Sequence, residues 1–260
     1  MNGRGGVRCT NKYLNAFVKL MPMVTNLAST DSITNEFVAE LRDASIQQDP
    51  LRFRFNLKRL GSAMAVEVGK SLAFKPTSVE TPLGSATVNR LAAQPVLATI
   101  LRAGLHMHQG VANVFDRAEQ AFVSACRKYV DEAHSAFEIG IDSVSAPPLE
   151  GKVLIVSDPM LATGASLAQV LTALFASYGV PSTVHVLAAI ASRQGVNHLQ
   201  RQHPEARVWV AAIDEKLNDK GYIIPGLGDA GDLAFGSKLL ACQASSKYCC
   251  GSLVRWLNSW

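Results

Sequence analysis

In KVLIVSDPMLATGASLAQVL (152–171), an apolar run ends in Asp158, and Thr163-Gly164-Ala165-Ser166 opens the next apolar-periodic segment. A helix that starts there offers unpaired N–H groups and the positive end of its dipole, which together hold a phosphate. Gly164 lets the backbone approach closely, and Thr163 and Ser166 add hydroxyls. Asp158 falls at the carboxyl end of the expected strand, where open α/β sheets bind ligands, and suits ribose hydroxyls. The lysine of a Walker loop is absent. The same residues also read as an ordinary strand–turn–helix capped by Thr163 or Ser166.

A second stretch, ILRAGLHMHQG (100–110), sets Arg102 between an apolar run and Gly104. A guanidinium there can fork onto a phosphate or pyrophosphate; alone, it also reads as an exposed or ion-paired arginine. His106 and His108 have no third ligand at a metal-binding spacing, so packing or helix-start roles are expected of them. The third stretch is GYIIPGLGDAGDLAFGSK (221–238), in which Gly226, Gly228 and Gly231 fit the dinucleotide fingerprint. That fingerprint follows the first strand of a βαβ unit, with an acid at the end of the next strand. Here it follows Pro225 near the end of the chain, and no such strand comes after it. The remaining reading is a loop of small residues (Gly226, Gly228, Ala230, Gly231) whose peptide groups meet a planar ring. Asp229 and Asp232 are candidates for ribose, metal or structural contacts.

These stretches need elements to position them. STDSITNEFVAELRD predicts a helix capped by Thr30, Asp31 or Ser32, with Phe37, Val38 and Leu41 on its apolar stripe. Phe53, Leu57, Leu60, Met64 and Val68 predict a longer helix after the Asp49–Pro50 turn. SVETPLG reads as an edge strand stopped by Pro82. Strands are expected at 95–101, 121–125, 137–141, 152–157, 183–190 and 207–213, and helices at 166–179 and 193–203. This alternation predicts one α/β domain with a mainly parallel sheet covered on both faces, under an N-terminal helical hood.

Composition bounds the function. Of the residues, 48% are hydrophobic and 18% charged, which argues for a packed core and against disorder. The net charge of +4 is carried by Arg4, Arg8, Lys12 and Lys19, since residues 1–30 have no acid. With Lys247 and Arg255 also set aside, residues 31–240 have 19 basic and 21 acidic side chains, so no nucleic-acid partner is expected. Five cysteines with no C-x-x-C pair suit a reducing cytoplasm. No membrane span or signal-peptide core is evident. Residues 1–22 are expected to be a disordered extension, 23–240 the folded domain, and 241–260 a second extension of unknown role.

DPMLATGAS, ILRAGL, AAIDEKLNDKGYIIPGLGDAGD and the closing FGSK together resemble uracil phosphoribosyltransferases, from about Met23 to about Leu240. Cys126 stands before Arg127 where the family usually has an aromatic residue, and the following KYVDEAHSAFEI resembles the Bacteroides-type variant of that loop. LHMHQG departs from the commoner LGM wording. The resemblance implies a type I phosphoribosyltransferase fold with a base-binding hood. It implies transfer from 5-phosphoribosyl 1-pyrophosphate (PRPP) to uracil, giving UMP and pyrophosphate, with magnesium carried by the sugar donor. GTP is a candidate activator, and a dimer or larger homo-oligomer is expected. Carried over by motif, Asp158, Pro159, Met160, Leu161, Ala162, Thr163, Gly164, Ala165 and Ser166 should hold the ribose-5-phosphate. Arg102 and Arg127 should meet the pyrophosphate. Ile223, Gly228 and Ala230 should read uracil through backbone groups, with Asp229 on the donor sugar or its metal and beside the base. Arg102, Asp158 and Asp229 are the candidate catalytic residues.

Overall fold

A computed structural model describes residues 23–129 and 137–237. Residues 1–22 and 241–260, both expected to be extensions, lie outside the described residues, as does Lys238 of the FGSK motif. A short strand β1 (Val24–Asn26) leads into helices α1 (Ile33–Arg42) and α2 (Pro50–Gly69). Ser32 is the cap of α1, its hydroxyl accepting from the Thr34 N–H at 3.3 Å. Asp49 caps α2 by accepting from the N–H groups of Leu51 and Arg52, and Pro50 takes the first helical position, where a missing donor costs nothing. The predicted stripe of α2, Phe53 through Val68, is buried.

Next come β2 (Phe74–Thr81) and β3 (Gly84–Leu91), β4 (Val96–Leu101), α3 (Leu105–Val114), and β5 (Glu119–Tyr129) with β6 (Phe137–Ser145). The chain continues through β7 (Val153–Ser157), β8 (Met160–Leu161), α4 (Ala165–Tyr178), β9 (Thr183–Ser192), α5 (Arg193–Gln202) and β10 (Ala206–Asp214). It closes with β11 (Lys216–Leu217), β12 (Ile223–Ile224) and α6 (Ala230–Phe235). The main sheet runs in the order β1-β10-β9-β7-β4-β5-β6, with β8 also pairing β9. Its pairings are parallel except for β5 with β6, which is antiparallel.

The central strands are apolar on both faces because both faces are covered. Val96 and Ala98 of β4 join Leu154 and Val156 of β7 in a core closed by Leu167, Leu171, Leu174, Val196 and Leu199 of α4 and α5. The alternate residues Leu97, Ile155 and Leu187 face the other way, into Leu57, Leu60, Met64 and Met107 of α2 and α3. Burying such a side chain contributes about 1.5–3 kcal/mol. With so much of it buried, the strand ends that carry the site are held firmly.

The SVETPLG strand does stop before Pro82, but it starts earlier than it reads, at Phe74, and a second strand, not expected from the sequence, returns alongside it. β2 and β3 form a separate antiparallel ribbon from Phe74↔Leu91 to Thr81↔Gly84, with Pro82 and Leu83 at its tip. Leu83 is fully exposed. No helix among the described residues is long and apolar enough to cross a membrane.

Candidate functional site

Asp158 sits where pairing to β9 is interrupted. β7 pairs with β9 as far as Ser157↔Leu187, and β8 resumes the pairing at Met160↔Ile190. Between them the Asp158 N–H donates to Leu187 O at 3.0 Å, and Pro159, which has no N–H, accepts from Ile190 N at 3.0 Å. The Asp158 carboxylate accepts from Met160 N at 3.3 Å and borders the cleft. Burial pushes its pKa up to about 7, opposed only by that backbone hydrogen bond. Leu161 is in the core, so it can offer a ligand only its peptide groups.

The turn from Ala162 to Ser166 is fixed from behind by α5. The Ser192 hydroxyl donates to Ala162 O and accepts from Gly195 N at 2.8 Å. Gly164 lies in the left-handed region (φ 79°), and a Cβ there would stand 2.6 Å from Gly195 O. Only glycine fits. The Thr163 hydroxyl accepts from Ala165 N at 3.4 Å, and α4 begins without a side-chain cap on Gly164. Past Ala165, the N–H groups of its first turn are therefore open to an anion.

The opposite wall is the segment 221–231. β11 and β12 pair antiparallel, and Asn218 Oδ1 closes their turn by accepting from Lys220 N and Tyr222 N. Gly226 (φ 58°) and Gly228 (φ 90°) are left-handed, and Leu227 between them is buried. Asp229 Oδ1 caps α6, accepting from Gly231 N at 2.9 Å and Asp232 N at 3.0 Å. One of its two oxygens is thus committed to structure.

Arg102 lines the same cleft and packs against α6. Its guanidinium lies over the Phe235 ring at 5.7 Å, and Nη2 is 3.6 Å from Asp232 Oδ1 and 3.5 Å from Gly236 O. His106 stacks on the same Phe235 ring at 5.0 Å. Nε2 of His108 is 2.9 Å from Gln120 Oε1, and its ring lies edge-on to Phe122. Burial lowers the pKa of both histidines.

Arg102, Asp158, Met160, Ala162, Ser166, Ile223, Gly228, Asp229 and Ala230 together line one cleft of about 310 Å³. Pro159, Leu161, Thr163, Gly164 and Ala165 belong to the same loop but do not line it. Arg127 lies on β5 opposite Ile139. Its side chain, like that of Cys126, lies outside the described residues. Motif reading did not single out Ala103, Ala125 or Tyr222, which also line the cleft. Tyr222 had a usable signal, standing one residue before Ile223 in the quoted loop. Ala103 and Ala125 had none, being small residues, one just past the end of β4 and one inside β5.

A family model described as uracil phosphoribosyltransferase matches residues 28–237. The chain belongs to the uracil phosphoribosyltransferase family. It is 47% identical over 217 residues to a uracil phosphoribosyltransferase of Porphyromonas gingivalis, covering 83% of this chain and 99% of that one. It is 38% identical over 209 residues to a uracil phosphoribosyltransferase of Thermococcus gammatolerans, covering 78% and 89%. Among solved structures, AQ2163 protein from Aquifex aeolicus aligns with a TM-score of 0.74 at 31% identity, covering 84% of this chain and all of that one. Adenine phosphoribosyltransferase of Trypanosoma brucei, solved with AMP, pyrophosphate and ribose-5-phosphate, aligns at 0.50 with 13% identity over 88% and 97%. That likeness is one of fold, and the type I phosphoribosyltransferase fold is the one this member of the uracil family has.

Proposed function

We propose that this protein transfers the phosphoribosyl group of PRPP to N1 of uracil, producing UMP and pyrophosphate. The observation that carries the reading is the single cleft in which Asp158, Ala162 and Ser166 face Gly228, Asp229 and Ala230, with Arg102 on the same cleft. The C1′–N1 bond forms as the bond from C1′ to the pyrophosphate oxygen breaks, and the N1 proton is released. Positive charge develops on the ribose, so the site must position and stabilise rather than supply a nucleophile. The open N-terminus of α4 takes the 5′-phosphate, and Asp158 accepts from the ribose hydroxyls. Arg102 leaves the end of α6 to fork onto the pyrophosphate. Arg127, from β5, would meet the same group. The peptide groups of Ile223, Gly228 and Ala230 face the uracil edge. Cytosine reverses the donor–acceptor order at that edge and would leave buried groups unpaired, so it is rejected.

Magnesium would ride on the donor. Among the described residues no three His, Cys, Asp or Glu side chains gather as a metal cage. A pyrophosphate-borne magnesium needs only one or two protein oxygens, and the Asp229 oxygen not used in capping fits that need. Such an ion withdraws charge from the leaving group. The domain is assigned to 23–240, the homo-oligomer to a dimer or larger, and the compartment to the cytoplasm. Light scattering and cell fractionation test the last two.

The deciding experiment incubates purified protein with uracil, PRPP and magnesium, with and without GTP, and separates the products. UMP and pyrophosphate should form with uracil and not with cytosine. Arg102→Ala should lower kcat/KM about 100-fold or more, the loss of a charge-assisted contact made to the leaving group. A folded wild-type protein that makes no UMP overturns the reading.

A further inference from the structure

We propose that Arg42 and Asp214 are positioning residues for the base site, holding Gly226 by both of its peptide groups and so setting the path of the loop that meets uracil. The inference rests on the reading of Ile223, Gly228 and Ala230 as the uracil-facing residues.

Arg42 is the last residue of α1, and Asp214 the last of β10. Arg42 forks onto the carboxylate, Nη1 donating to Oδ2 at 2.8 Å and Nη2 to Oδ1 at 2.9 Å. Neither group stops at this pair. Arg42 Nη1 also donates to Gly226 O at 3.0 Å, and Asp214 Oδ2 accepts from Gly226 N at 3.0 Å. The pair is well shielded, with 9% of the Asp214 side chain and 23% of the Arg42 side chain exposed. Gln47 Nε2 donates to Arg42 O at 3.2 Å and steadies the end of α1.

A staple between α1 and β10 would need only the fork. The two extra bonds go to one residue, and that residue cannot shift freely. A Cβ on Gly226 would stand 2.2 Å from Ile223 O, so the chain doubles back tightly onto the residue at the start of the base wall. Leu227 is anchored in the core, and Gly228 follows at the cleft. Peptide groups that read a ring have no rotamers with which to compensate for a displaced backbone. A loosened Gly226 is therefore felt at Gly228. The partners of this cluster lie on α1, β10 and the base wall. None belongs to the 158–166 loop, so donor binding should be spared.

The test uses the full chain with Arg42→Lys, Arg42→Gln and Asp214→Asn. Arg42→Lys keeps the charge but cannot serve both Asp214 and Gly226. Asp214→Asn keeps the shape but loses half of the fork. Initial rates are measured against uracil at saturating PRPP and against PRPP at saturating uracil, beside thermal melting. The KM for uracil should rise about tenfold or more, with Arg42→Gln the largest, while the KM for PRPP stays within about twofold. For any variant too slow to assay, PRPP binding is measured by calorimetry, and retained binding with lost turnover supports the assignment. Unchanged KM values with a lowered melting temperature would make the cluster a plain staple and overturn the proposal. A parallel rise in both KM values, or loss of PRPP binding, would also overturn it. If the wild type makes no UMP at all, the uracil reading itself fails, an outcome visible before any variant is assayed.

Discussion

The two walls of the cleft are built by opposite means. The 158–166 wall is made almost in place: a buried strand, a two-residue interruption, a short strand and a helix, all within consecutive sequence and backed by Ser192 and Gly195. The 221–231 wall has one two-residue strand, paired with another just before it, and the start of a helix of six residues, and it borrows its shape from far away. Arg42 reaches Gly226 across 184 positions, and Arg54 reaches Ala234 O across 180. A surface for phosphate and sugar can be assembled from standard parts, because helix termini bind anions wherever they occur. A surface with the proposed task of reading one ring edge needs a backbone path that local preferences do not supply.

Substitutions sharpen or break this contrast. Gly226→Ala should do the most damage. It demands a left-handed backbone of a residue with a side chain and sets that Cβ against Ile223 O. Use of uracil, read as kcat/KM, should fall 100-fold or more, with about 1–3 kcal/mol lost in denaturant unfolding. Comparable loss for both substrates would erase the distinction between the walls. Gly164→Ala should strike the other wall, pressing on Gly195 O and raising the KM for PRPP about tenfold while leaving that for uracil nearly alone.

Asp158→Asn should give a smaller effect on the unliganded protein, and one that depends on pH. Burial raises the folded-state pKa of Asp158 from 3.8 to about 7, so the fold favours the neutral acid. The wild type therefore has its full share of stability below about pH 4 and loses it progressively as pH climbs to about 7. The amide is neutral throughout and lacks this slope. The difference is bounded at about 4 kcal/mol by the size of the shift, and water reaching the carboxylate through the cleft should cut it to about 1 or 2. Parallel stability–pH curves for the two proteins would show that the carboxylate is well solvated.

The same contrast decides what the sequence reveals. KVLIVS, TVHVLAAI and RVWVAAI are legible as strands because both faces are buried and the runs are almost wholly apolar, His185 being the one polar residue inside them. The α2 stripe is legible because it recurs at helical spacing. The β2–β3 ribbon is half-hidden, since none of its residues is buried and GSATVNRL carries no alternation to betray a strand. β1, β8, β11 and β12 are too short to leave a periodicity. The phosphate-type turn and the glycine pattern could be read as chemistry from residue types alone. Their meeting in one cleft could not, and neither could the Arg42–Asp214 pair, whose partners stand 172 positions apart.

The wall proposed to read the base has a last consequence, for how this protein could change. A pocket lined with side chains can drift to a new ligand one residue at a time. The peptide groups at Gly228 and Ala230 that we propose read uracil offer no such handle, because every residue but proline carries the same N–H and C=O. A new ring preference would have to come from rerouting the backbone, through glycines that tolerate no side chain and through α1 on a distant part of the chain. Selectivity built this way is resistant to gradual change, and its variants should be found at the loop's supports before they are found at its tip.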